Sequence, residues 1–261
     1  KVALSTEGAE FLPFAREILA QENAALAAMG FGNEYVAGTL RLTASSTFAQ
    51  QYVLPLVPDF LELYPGINLD LRLSDMELDL IQGSFDLALR DSVLPDSNLK
   101  ARKLADDKRL LCASPDYLAK WGTPKHPDDL CSHQLIAFKS QATINLIGPD
   151  GEQGKFNPRA PGNRLIIDDG LSHKIATMAG AGIAMHALWS VHRELAEGTL
   201  VQVLTDFRMD AEPALWLVYP KSNVLTAKVR VFIDFLLDRI GNRPPWLEVE
   251  EREDAKPPEA D

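Results

Sequence analysis

Apolar positions recur with a period of two at Leu40, Leu42 and Ala44, again at Ile67, Leu69, Leu71 and Leu73, and again at Phe85, Leu87 and Leu89. Each run predicts a half-buried strand. Between the first two, Phe48, Val53, Leu56, Val57 and Phe60 follow helical spacing. Pro55 and Pro58 disturb that helix, and Tyr64-Pro65-Gly66 stops it. A short helix is predicted from Met76 to Gln82, before the third strand. Strand, helix, strand, helix, strand in this order predicts an α/β unit around a parallel sheet.

A second unit follows Pro95. Leu104 to Ala113 reads as one strand, with Arg109 to Ala113 at its centre. Ser114-Pro115 predicts a cap with proline in the first helical turn. Further strands are expected at Leu135–Phe138, Leu165–Ile167, Ile183–Met185, Leu200–Leu204 and Pro213–Tyr219, with a hairpin from Ile144 to Phe156. Helices are expected at Leu171–Ala179, Trp189–Ala196 and from Val229 to Leu237. The last strand and helix return to the first unit. The expected boundaries are 38–112 with 213–241 for lobe I and 113–208 for lobe II, joined by a two-stranded hinge. A cleft between such lobes, at the C-terminal ends of parallel strands, is the expected place for a small ligand.

Upstream, Leu12, Ala15, Leu19, Leu26 and Met29 form a narrow helical seam from Thr6, the expected N-cap, to about Met29. Pro13 should kink this helix or mark its early turns. Gly30 to Asn33 isolates it from the first strand, so residues 1–32 are expected to be a linker or dimerisation helix. The chain opens on Lys1, and a missing natural start is expected.

Of 261 residues, 46% are hydrophobic and 24% charged, ample for a sizeable core. The net charge of −11 makes the chain a poor candidate for gripping duplex DNA unaided. Seven acids and three bases crowd into residues 242–261 together with four prolines, which predicts a disordered acidic tail. Cys112 and Cys131 have no metal-like spacing and read as small buried apolar residues in a reducing, cytoplasmic protein. No run is long enough to span a membrane and no signal-peptide pattern is present.

Several segments, taken in order, resemble one family. They are Leu4-Ser-Thr-Glu-Gly8 with the helix after it, Gly38-Thr-Leu-Arg-Leu-Thr-Ala44, and Leu54-Pro-Leu56 with Tyr64-Pro65. Phe85-Asp-Leu-Ala-Leu-Arg90, Leu94-Pro-Asp-Ser97, Ala113-Ser-Pro-Asp-Tyr-Leu118, Gly122-Thr-Pro124 and Gly180-Ala-Gly-Ile-Ala184 complete the series. From Leu4 to Gly241 the chain resembles LysR-type transcriptional regulators without their N-terminal winged helix-turn-helix. The resemblance implies two Rossmann-like lobes of the periplasmic-binding-protein type, preceded by a linker helix. It also implies a small-molecule effector in the cleft, dimers or tetramers, no membrane partner, and DNA contact only through the absent N-terminal unit. The chain departs from the family where Met185 is followed by His186 and Ala187 rather than by proline. A solute-binding protein of a transporter is the alternative on the same fold.

Within this frame Ser45, Ser46 and Thr47 sit where the family commonly holds an effector. One hydroxyl can cap the following helix, and the others can meet a carboxylate. Asp75 either walls the cleft or caps the helix from Met76. Arg90 either clamps an anion or pairs with a nearby acid. Phe138 and Lys139 end a strand of the second lobe. One of Asp168 and Asp169 should cap the next helix, while the other faces the cleft. His173 and His186 invite an enzyme reading, but no Gly-x-Ser-x-Gly elbow, metal-ligand pair or complete dinucleotide loop supports one. No catalytic residue, metal or cofactor is expected.

Overall fold

The structure, a computed structural model, describes residues 5–28, 36–75, 85–91, 99–139, 141–210, 213–221, 225–242 and 244–247. The expected helix from Met76 to Gln82 lies outside them, as does the Leu94–Ser97 motif. In chain order, helix α1 (Thr6–Ala28) leads to strand β1 (Gly38–Ala44), helices α2 (Ser46–Phe48) and α3 (Val57–Leu63), then strands β2 (Ile67–Leu73), β3 (Leu87–Arg90), β4 (Leu99–Asp106) and β5 (Arg109–Ala113). Helix α4 (Pro115–Trp121) precedes β6 (Leu135–Phe138), β7 (Ile144–Ile147), β8 (Gln153–Phe156) and β9 (Leu165–Ile167). Helix α5 (Gly170–Met178), β10 (Ile183–Ala187), helix α6 (Leu188–Ala196), β11 (Val201–Val203), β12 (Arg208–Met209), β13 (Ala214–Pro220) and helix α7 (Ala227–Leu236) complete the fold.

The first sheet runs β2-β1-β3-β13-β4, with β2, β1 and β3 parallel and β13 antiparallel to both of its neighbours, β3 and β4. Because β1 is flanked by β2 and β3, Ala44 lies level with both Leu73 and Leu89. The chain therefore leaves three neighbouring strands at one edge, carrying Ser45, Asp75 and Arg90. The second sheet runs β11-β5-β10-β6-β9, with β6 parallel to both β10 and β9. Its parallel strands end at Phe138, Ile167 and Ala187. A small third sheet, β12-β7-β8, holds the predicted hairpin.

Leu104 to Ala113 is not one strand. β4 belongs to the first sheet and β5 to the second, and the chain crosses between them at Asp107 and Lys108. The crossing thus precedes the expected boundary at residues 112 and 113. An exposed polar stretch, Lys100 to Lys103, hides the start of β4 from a hydrophobic pattern. The cap of α1 is Ser5, whose hydroxyl accepts from the Gly8 amide at 3.1 Å, and not Thr6. The helix continues through Pro13 and presents Phe11, Phe14, Ile18 and Leu19, each more than half exposed. From Ser46 to Leu63 the backbone stays helical, loosening over Ala49–Val53 and tightening over Leu54–Leu56 where Pro55 removes a donor. Cys112 is buried, but Cys131 is exposed on the turn Pro127–Ser132, contrary to its reading as a core residue.

The tail is ordered further than its charge suggested. Pro244 to Leu247 form a turn, and Trp246 is fully buried against Tyr52 (4.9 Å between ring centroids) and Phe48 (6.0 Å). One large aromatic side chain outweighs the polar residues around it, since burying it removes about 150–250 Å² from water. We expect Trp246→Ala to lower unfolding stability by about 3–5 kcal/mol in urea titration. A loss below about 1 kcal/mol would mean that the tail does not hold the first lobe together.

Candidate functional site

A cavity of about 490 Å³ lies between the two sets of strand ends. Both lobes line it: Ser45, Thr47, Phe48, Asp75, Arg90 and Asp91 from the first, and Phe138, Gln141, His173, Met185, His186 and Trp189 among those from the second. Phe48, Phe138, Met185 and Trp189 give it an apolar body, and charged and hydroxyl groups line the remainder. This mixture suits a small organic molecule with a polar head.

The hydroxyl run at 45–47 does not act as expected. No hydroxyl caps α2. Asp75 does that work instead: its Oδ1 accepts from the Ser46 amide and from the Ser45 hydroxyl, each at 2.7 Å. Its second oxygen, Oδ2, accepts from the Gly170 amide at 2.8 Å. Gly170 opens α5 in the other lobe, so one carboxylate spans the cleft. A side chain at Gly170 would bring its Cβ within 2.6 Å of Thr47 Oγ1. Glycine here lets the two lobes approach this closely. Thr47 is buried, and its hydroxyl has no hydrogen-bond partner.

The remaining candidates divide. Arg90 is buried and donates to the Thr43 hydroxyl and the Leu89 carbonyl, both at 3.0 Å. Phe138 lines the cavity edge-on to His173, with ring centroids 5.7 Å apart. Lys139 and Asp168 do not line it; they face each other at 3.7 Å on the surface. Asp169 caps α5 by accepting from the Ser172 amide at 2.7 Å. The expectation that the other aspartate faces the cleft is therefore corrected, because Asp168 turns outward to its lysine. Ser46 contributes its backbone amide, not its side chain.

Pattern reading passed over Arg109 and underrated the histidines. Arg109, in β5, reaches Asp91 at 2.7 Å across the cleft and Asp107 at the crossing. Burial pushes the Asp107 carboxyl up, opposed by the Arg109 charge. The His173 and His186 rings lie against each other, tilted by 57° with centroids 4.7 Å apart. Thr177 gives its only proton to the His173 carbonyl, so in its 2.9 Å contact with His186 the imidazole Nε2–H must donate. His173 directs Nε2 at the Ile136 carbonyl, which can only accept. Both rings are then left with an Nδ1 acceptor. Burial lowers the pKa of each, and His186 is held well below the usual histidine range, with His173, Lys174 and Arg109 adding to the effect. They are neutral hydrogen-bond partners rather than charges at neutral pH. The signal for the pair was the departure at His186. Among the described residues, no group of three or more His, Cys, Asp or Glu side chains could hold a metal ion.

These depressed values couple folding to pH. The unfolded chain binds protons near pH 6.5 that the folded chain refuses, so stability present at neutral pH is lost as pH falls through the unfolded value. Each linked proton is worth up to about 1.4 kcal/mol per pH unit. His186→Gln, which keeps a donor for Thr177, should flatten the decline in melting temperature between pH 7 and pH 5. An unchanged slope would show that the ring is not buried neutral.

The geometry defines a two-lobed, substrate-binding-type sensor fold, and comparison with known proteins carries it further. Residues 33–241 match the LysR substrate binding domain. The HTH-type transcriptional regulator CrgA of Neisseria meningitidis serogroup C is 33% identical over 242 residues, covering 93% of this chain and 80% of CrgA. DmlR of Escherichia coli K12, another HTH-type regulator, is 30% identical, covering 96% of this chain and 81% of its own length. The solved structure of Neisseria meningitidis CrgA superposes with a TM-score of 0.72 at 32% identity, covering 92% of this chain and 81% of that one. Full-length AphB, the Vibrio cholerae virulence activator, gives 0.68 at 27% identity, covering 92% of this chain and 81% of its own. The chain belongs to the LysR family, and it is the ligand-sensing regulatory domain of a LysR-type transcriptional regulator.

Proposed function

We propose that the effector of this regulator is a small organic molecule held in the interlobe cavity, with Thr47, Arg90, Phe138, His173 and His186 among its contacts, and that the chain performs no catalysis. The observation that carries this reading is the cavity itself. It is about 490 Å³, lies at the C-terminal ends of parallel strands and is lined from both lobes, so an occupant changes the free energy of their apposition. Neutral His173 and His186 offer acceptors to a donor group on the ligand, and the aromatic walls suit a flat or branched apolar body.

The response travels through self-association. The exposed Phe11, Phe14, Ile18 and Leu19 of α1 form an apolar face suited to a second copy, giving dimers or tetramers that set the position of DNA-binding units. CrgA and DmlR are regulators of transcription rather than enzymes. Among the described residues, no helix is long and apolar enough to cross a membrane, which fits a protein that works on DNA in the cytoplasm.

The test is thermal unfolding against a panel of small metabolites, repeated on Ala142→Trp. Ala142 is an exposed cavity-lining residue, so the indole should block the cleft without entering the core. A ligand at a hundred times its Kd should stabilise the wild type by about 2.7 kcal/mol. The blocked variant should keep its own melting temperature and lose the response. Ligands that stabilise both forms equally would place the effector elsewhere.

A further inference from the structure

The seat built by Ser45, Ser46 and Gly170 is already taken by a carboxylate, and that carboxylate belongs to the chain. Asp75 receives one hydroxyl and two backbone amides, one of them from the N-terminus of the nine-residue helix α5. Donors of this kind, aimed at a carboxylate, make charge-assisted bonds that recognise the group and not the residue that carries it. Two details mark Asp75 as a resident occupant. The seat has one more donor than Asp75 uses, because the buried Thr47 hydroxyl lines the cavity beside it without a partner. A buried hydroxyl without a partner is costly and calls for an occupant that satisfies it. Asp75 itself is only partly buried, so on leaving it can recover hydration.

We propose that Asp75 is an internal stand-in for an effector's carboxylate, and that an anionic effector binds by exchanging with it. The exchange is non-covalent. The ligand's carboxylate takes the Ser45 hydroxyl and the Ser46 and Gly170 amides, gains the Thr47 hydroxyl, and Asp75 turns to solvent. The link from the first lobe to Gly170 then runs through the ligand. The Tyr52 hydroxyl, donating to the Trp189 carbonyl at 2.7 Å, and the Arg109–Asp91 pair keep the lobes together meanwhile. This deepens the cleft reading by naming the ligand's head group, and it rests on that reading.

Chemical rescue tests it, with sodium acetate as the probe and sodium chloride at equal ionic strength as the control. Asp75→Ala empties the seat, Asp75→Ser empties most of it in case the alanine variant does not fold, and Asp75→Asn keeps it filled. Acetate at tens of millimolar should raise the melting temperature of the emptied variants by about 3 °C or more beyond any effect on the wild type or Asp75→Asn. Acetamide, of the same shape without the charge, should not. Adding Thr47→Val to an emptied variant should weaken the acetate response several-fold. Equal responses in filled and emptied variants would overturn the proposal. So would a wild-type cleft ligand found by screening while acetate does nothing for the emptied seat, an outcome that leaves the cleft reading standing. Rescue without any screening hit would support the seat.

Discussion

The cleft is organised by one carboxylate shared between two lobes. Asp75 caps the helical run after β1 and accepts from the first amide of α5 across the gap. Each of these bonds is charge-assisted and worth about 1.5–3 kcal/mol in protein settings. Together they decide how closely Thr47 approaches Gly170, where only a hydrogen fits. The cavity's shape results from this apposition. If the shared carboxylate moves, the walls contributed by Phe48 and Asp75 shift relative to those of Phe138 and His173.

The other contacts between the lobes are of different kinds. Phe48, Tyr52, Trp189 and Trp246 form a nest of edge-to-face and tilted rings that joins the first core to the start of α6. Such packing has no ionic partner for a ligand's charge to compete with. Arg109, held by Asp91 and Asp107, provides a second ionic crossing near the hinge. A ligand can therefore compete at one crossing without unfastening the whole. Population shift requires this arrangement, since a ligand moves the equilibrium only by its differential affinity for the two states.

Much of the architecture was legible because burial enforces periodicity. Leu40, Leu42 and Ala44 had to alternate, and the order of strands and helices fixed which edge carries Ser45, Asp75 and Arg90. The family was legible from ordered short segments that no single pattern would identify. The hinge was not, since Lys100 to Lys103 face solvent, the start of β4 reads as a loop and its end reads as one strand with β5. Trp246 was lost in a segment whose average charge said disorder, although one buried indole dominates its energetics. At the cavity, strand ends point to part of its lining but not to the hydrogen-bond partners. Hydroxyls followed by a helix suggest self-capping, and nothing local reveals that a residue thirty positions on supplies the cap. Lys139 and Asp168 were misplaced for the same reason: a residue at a strand end can turn either way, and tertiary contacts decide.

Asp75 ties the lobes together across the cleft. The most direct measurement is the distance distribution between spin labels at Lys100→Cys and Lys155→Cys, exposed positions in the first and second lobes, with the exposed Cys131 replaced by serine. Electron–electron double resonance should give a narrow distribution for the chain with Asp75 intact. Asp75→Ala should broaden or lengthen it, and acetate should narrow it again. Identical distributions in all three samples would contradict the claim, because the lobes would then be set without the carboxylate.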